Sequence, residues 1–168
     1  MSDIIFANGT FIDHRKAMVS INDRGFLIGD GLFETLRFDQ LEHHFFERHW
    51  QRLLTGCEVL KIQPPISAQK TLHTIQQLLT RNCLDKKTAG VRITLSRGLG
   101  PRGLALPTKS KPTFIIQCFE ISQTPAAAIS VSHSTQIINE HSPLRTFKSL
   151  SYTEHLIARQ QANEAGFD

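Results

Sequence analysis

Lys148 stands in "LRTFKSLSYTEHL", between Phe147 and Leu150 and just ahead of a helix-forming run. An amine held among apolar groups is disfavoured as an ammonium, and the neutral amine is the nucleophile that makes a Schiff base with a carbonyl. Taken locally, a solvated loop lysine is the commoner reading. Glu34, in "LIGDGLFETLRF", alternates onto one face with Leu32 and Leu36. That face buries a carboxylate, which then requires a cation or a donor, a lysine being one option. "HWQRLL" sets His49 and Arg52 three apart, on one helix face with apolar neighbours. An inward arginine there needs an anion, and an outward one snorkels to water. "SRGLGPRG" carries Arg97 and Arg102 in a glycine-rich loop. Guanidinium forks fit carboxylates, and glycines let backbone amides approach an anion. The same loop also reads as flexible surface or as an RNA contact. It is not a phosphate-binding P-loop, because no Gly-Lys-Ser/Thr opens a helix. His43 and His44 lie near Glu42 and Glu47, but no second cluster completes a metal-ligand set.

The elements that must position these groups are legible as periodicities. Asn8-Gly9 between two apolar runs predicts a hairpin. "GLFETLRFDQLEHHFF" predicts a strand, a turn near Asp39-Gln40 and a second strand. From Phe46 the apolar spacing becomes helical through Trp50, Leu53, Cys57 and Leu60, and "QPPI" stops it. A second helix is predicted from about Ser67 to Asn82. "AGVRITLSRG" and "TFIIQCFEI" read as strands, the latter central in a sheet. "SQTPAAA" reads as a linker, "ISVSHSTQII" as a strand, and the stretch from about Ser151 as a helix with Gly166 at its C-terminal cap.

Composition bounds the rest. The chain has 168 residues, 40% of them apolar and 20% charged, enough for a core and unlike a disordered chain. The net charge is +4 without a Lys/Arg-rich block, which argues against nucleic acid and suits small anionic ligands. No apolar stretch is long enough to span a membrane, and the N-terminus lacks the pattern of a signal peptide. Cys57, Cys83 and Cys118 are far apart and read as buried thiols in a reducing compartment, so a cytoplasmic location is expected.

In order along the chain, "INDRGFLIGDGLFETLRF", "HWQRL", "SRGLGPRG" and "FKSLSYTEHLIARQQANEAGFD" resemble the class IV aminotransferases, pyridoxal-phosphate enzymes of fold type IV. That family includes branched-chain and D-amino-acid aminotransferases and 4-amino-4-deoxychorismate lyases. The resemblance spans essentially the whole chain. It implies an α+β fold: an N-terminal two-layer domain over residues 1–122, a linker at 123–127, and the start of a second, pseudo-barrel domain at 128–168. It implies pyridoxal 5'-phosphate joined to Lys148, which would also shuttle the substrate's proton, and a cofactor phosphate on Arg52. Glu34 would lie beside the lysine, with Lys148 or the cofactor as its counter-charge, and Tyr152 near the cofactor ring. Phe33 would line the substrate pocket, and Arg102, with Arg97, would take a substrate carboxylate, often across a homodimer interface.

The implied reaction is amino transfer between an amino acid and a 2-oxo acid. The alternative is cleavage of aminodeoxychorismate to 4-aminobenzoate and pyruvate. Leu104 and Phe33 stand where D-amino-acid enzymes of the family carry a histidine and a tyrosine, which argues against D-amino-acid substrates. Family members continue beyond the position of Asp168 with the partner of the pyridinium nitrogen and most of the phosphate-binding loop. The resemblance therefore implies a truncated chain with weakened cofactor binding and impaired activity.

Overall fold

A computed structural model describes residues 4–122 and 128–168. The chain opens with the hairpin β1 (Ile4–Ala7) and β2 (Thr10–Asp13). Asn8 and Gly9 between them take φ of +50° and +100°, the pair of positive values a two-residue turn of this hand requires. A short helix, α1 (Arg24–Ile28), leads through Gly29 into β3 (Gly31–Asp39) and the two-residue β4 (Glu42–His43). Two longer helices follow, α2 (Phe46–Leu60) and α3 (Ala68–Arg81), then β5 (Thr88–Ser96) and β6 (Thr113–Glu120), and finally α4 (Thr153–Glu164).

The six strands form one antiparallel sheet in the order β2-β1-β6-β5-β3-β4. Helices α2 and α3 cover one face, packing on β3, β1 and β6. The core lies in that layer: Leu32, Leu36 and Phe38 of β3 meet Trp50, Leu53 and Cys57 of α2 and Ile75, Leu78 and Leu79 of α3. The fold is α+β, as the sequence implies. The strand β3 keeps strict alternation, which places Glu34 on the helix-facing side and Phe33 on the other.

A second connection carries the site. Residues 147–150 run beside the start of β3: the Phe33 amide donates to the Lys148 carbonyl at 3.0 Å, and the Leu150 amide donates to the Gly31 carbonyl at 2.9 Å. Phe147 joins the core. It fits because α2 presents Gly56 there, where a Cβ would lie 2.8 Å from the Phe147 ring and 2.6 Å from Leu32. Ser149 pairs with Leu32, so Lys148 emerges on the Phe33 face.

Two expectations are corrected and one element is added. "ISVSHSTQII" forms no strand among the described residues: residues 129–138 are exposed and no described strand lies beside them to complete a ladder. Cys83 is exposed at φ +55°, whereas Cys57 and Cys118 are buried. Helix α1 goes unpredicted, because its apolar residues Phe26, Leu27 and Ile28 are exposed and give no burial rhythm. The predicted linker at 123–127 lies outside the described residues. The glycine stop of α4 is realised: Gly166 takes φ +80°, its amide bonds to Asn163 and that of Phe167 to Ala162.

Candidate active site

Glu34 is 1% exposed, so a lone carboxylate there would be untenable. Its partners come from α2, which crosses over β3. Arg52 Nε and Nη2 donate to its two oxygens at 2.6 and 2.7 Å, and His49 Nδ1 lies 2.7 Å from Oε2. The expected counter-charge, Lys148 or the cofactor, is therefore replaced by Arg52. Alternation puts Glu34 under the helix, one residue out of phase with the face Lys148 joins. The bidentate bond from Glu34 holds the Arg52 guanidinium firmly in its charged form. Nη1 of Arg52 has no hydrogen-bond partner among the described residues. The guanidinium is thus aimed by a buried anchor and keeps one end for a further anion.

On the other face, Lys148 Nζ stands 5.2 Å from the Phe33 ring centroid and 5.9 Å from that of Tyr152. The two rings meet edge to face at 5.1 Å. Tyr152 caps α4 at its N-terminus and tilts against His155 at 4.3 Å. Phe33 is buried, so the wall it gives the lysine is firm.

Arg92 was not singled out in the sequence. It sits on β5 opposite Thr35, its guanidinium 4.0 Å over the Phe33 ring. Burial pushes its proton affinity down, and no carboxylate pairs with it among the described residues. The only signal in sequence was a charge interrupting the apolar run "GVRITL", which by alternation reads as solvent-facing.

Lys148 and Arg92 share the Phe33 ring, while Arg52 stands on the Glu34 side of β3. This surplus of positive charge fits a ligand carrying more than one anionic group, and the half-buried amine beside the rings fits a carbonyl. The residues therefore suit pyridoxal 5'-phosphate: Lys148 for its aldehyde, the free edge of Arg52 for its phosphate, and Tyr152 for its ring.

Arg97 and Arg102 lie apart. Arg97 is 5% exposed; its Nε and Nη2 bind Asp30 at 2.7 and 3.0 Å, and it also donates to the carbonyls of Leu60 and Lys61 at 2.6 and 3.3 Å. It caps the C-terminus of α2, where orphan carbonyls favour a cation. That fork has no room for a substrate carboxylate, which corrects the expectation for Arg97. Arg102 is exposed at the tip of the loop after β5. Asp30, between Gly29 and Gly31 at the entry to β3, holds this arrangement together. Gly29 ends α1 in the left-handed region, Asp30 pairs with two buried arginines, and Gly31 starts β3 where a Cβ would lie 2.6 Å from the Leu95 carbonyl oxygen.

Comparison with known proteins bears on the family and the fold. The family model described as amino-transferase class IV matches residues 31–168. A putative branched-chain-amino-acid aminotransferase of Methanocaldococcus jannaschii is 33% identical over 98% of this chain and 57% of its own length. The aminodeoxychorismate lyase of Bacillus subtilis is 28% identical over 94% of this chain and 54% of its own. Among solved structures, the branched-chain aminotransferase of Escherichia coli superposes with a TM-score of 0.86 at 20% identity, over 99% of this chain and 58% of that one. A putative 4-amino-4-deoxychorismate lyase of Legionella pneumophila does so with a TM-score of 0.80 at 31% identity, over 92% and 56%. The chain spans a little over half the length of the relatives it matches. Its architecture and the match over most of its length lead to one conclusion: this chain belongs to the class IV aminotransferase family.

Proposed function

We propose that the protein is a pyridoxal-phosphate enzyme that transfers an amino group between an amino acid and a 2-oxo acid. The observation that carries the reading is the placement of the Lys148 amine beside the paired Phe33 and Tyr152 rings, with Arg92 over the same Phe33 ring. When bound, pyridoxal 5'-phosphate supplies the electron sink that makes the substrate Cα acidic. Lys148 Nζ would hold the cofactor through its aldehyde carbon and would accept the proton from the substrate Cα. Arg52 binds phosphate through Nη1 while Glu34 fixes its orientation, and Tyr152 bears on the cofactor ring. Phe33 excludes water from the amine, and Arg92 receives a carboxylate of the substrate. Residues 128–168 begin the cofactor domain, and 1–122 form the domain that packs against it.

Arg102, at an exposed loop tip, acts on a second copy. Helix α1 and this loop both show large exposed apolar side chains: Phe26 is 72% and Leu104 88% exposed. Burying them against a partner fits a homodimer in which Arg102 meets the carboxylate at the partner's site.

The second reading, aminodeoxychorismate lyase, draws on the 31% identity to the Legionella protein, the higher figure among the two solved structures above. A co-substrate assay on the complete protein separates the two. A transaminase turns over only with a 2-oxo acid present. Release of pyruvate and an aromatic amine without one replaces the first reading by the second, and no turnover of either kind refutes both.

A further inference from the structure

The loop after β5 has a well-held base and an exposed tip. Asp23 organises the base: its Oδ2 accepts from Ser96 Oγ at 2.9 Å and Thr113 Oγ1 at 2.6 Å, and the Arg24 amide donates to the Gly98 carbonyl at 2.9 Å. The tip, residues 101–106, exposes Arg102, Leu104 and Leu106. One side chain holds it. Arg24 Nη1 donates to the carbonyls of Pro101, Gly103 and Ala105, each at 3.0 Å, so the backbone curls around a guanidinium that is 3% exposed. Among the described residues no other hydrogen bond ties 101–106 to another part of the chain. Arg24 is fixed in turn by Asp30, whose Oδ2 takes its Nε at 2.8 Å and the Nε of Arg97 at 2.7 Å. Gly100 completes the fit, because any Cβ there would collide with Arg24 Cδ.

Three alternate carbonyls on one nitrogen make a local curvature that the chain would not hold alone. Three exposed residues cannot bury enough to fix themselves, and each ordered residue costs entropy. Arg102 lies between the first and second of the bonded carbonyls, so its Cα is located by Arg24. We propose that Arg24 is a positioning residue for Arg102: it acts through the loop backbone to present Arg102 to the substrate carboxylate. The part played by Arg102 rests on the aminotransferase reading above, but the holding of the loop by Arg24 does not.

The Arg102–Gly103 bond is a tryptic site inside the held tip, and a protease needs that segment pulled out and extended. The test is the rate at which limited trypsinolysis yields the peptide ending at Arg102, read by mass, in the wild type, Arg24→Lys and Gly100→Ala. Lysine keeps the charge but is a point donor that cannot span Asp30 and three carbonyls. Gly100→Ala sets a methyl against Arg24 Cδ, which pushes loop and guanidinium apart while both arginines and Asp30 are kept in sequence. Both variants should be cut after Arg102 about tenfold faster, the change expected when roughly one charged hydrogen bond's worth of protection is lost, with cutting after Lys86 unchanged. If Arg24→Lys is cut faster everywhere, it has unfolded and Gly100→Ala decides. Wild-type cleavage after Arg102 in Gly100→Ala overturns the proposal.

In the complete enzyme both variants should also raise KM for the carboxylate substrate about tenfold while kcat stays within about twofold, the signature of lost binding rather than lost chemistry. A fall in kcat at unchanged KM contradicts a positioning role. An enzyme with no turnover at all would refute the aminotransferase reading, while the cleavage rates would still judge the loop.

Discussion

At the scale of single residues, the account turns on which charges are anchored and which are free. Glu34 is buried and fully engaged, so its service is to aim Arg52. Glu34→Gln keeps the shape but removes the charge, and a hydrogen bond to a charged group contributes about 1.5–3 kcal/mol, so cofactor binding should weaken roughly tenfold or more. Fluorescence titration with pyridoxal phosphate measures it; unchanged affinity would mean that Arg52 needs no anchor. Arg92→Leu should raise KM for the carboxylate substrate and leave the cofactor affinity alone, which kinetics on the complete protein would show. Burial of Glu34 was legible from alternation along "LFETL". Its partner was not, because alternation says which face a residue takes and not which cation of a later helix crosses it. Arg92 escaped for the same reason: its face lies opposite the core, and the ring and lysine that enclose it arrive from residues 33 and 148.

At the scale of elements, helix α2 and the 147–150 segment are matched through one glycine. A methyl at Gly56 meets both Leu32 and Phe147, and Phe147 cannot swing away because it is 5% exposed. Gly56→Ala should therefore destabilise by about 1–3 kcal/mol, the usual cost of overpacking. It should also shift the residue next to Lys148, so denaturant midpoint and borohydride labelling of Lys148 should fall together. Labelling that stays intact at reduced stability would uncouple the packing from the site. Helices α2 and α3 were legible because a long amphipathic period overdetermines them. Helix α1 has five residues and an exposed apolar side, and it is set by its ends: the Asp23 side chain accepts from the Gly25 amide, and Gly29 closes it. Residues 129–138 show the reverse case. Strand-like composition forms a strand only where a neighbour completes the ladder.

At the scale of the molecule, Asp30 ties three parts together: α1 through Arg24, the cap of α2 through Arg97, and the turn into β3. Burial alone would raise its carboxyl, but the hydrogen bonds from Arg97 and Arg24 outweigh that and hold it below the ordinary value. A lowered folded value means that the stabilisation is present above the unfolded carboxylate pKa, near about 4, and is lost as pH falls through the folded one. Asp30→Asn should thus cost about 3–5 kcal/mol at pH 7, since it strands buried guanidiniums, and the gap from wild type should narrow below about pH 4. Urea unfolding at pH 7 and pH 3 checks both parts; a gap independent of pH would show that the charge on Asp30 is not what stabilises the junction. The strand β3 was legible from the alternation in "GLFETLRF". The three-way tie was not, since it joins residues 24, 30, 60, 61 and 97.

The central claim is that Lys148, beside the Phe33 and Tyr152 rings, is the amine that carries the cofactor. The direct measurement is borohydride reduction of the full chain after incubation with pyridoxal 5'-phosphate, followed by peptide mass mapping. The account predicts one dominant pyridoxyl adduct, on Lys148, lost in Lys148→Ala and diminished in Arg52→Ala. Adducts spread over exposed lysines such as Lys70 and Lys109, equally abundant in Lys148→Ala, would contradict it.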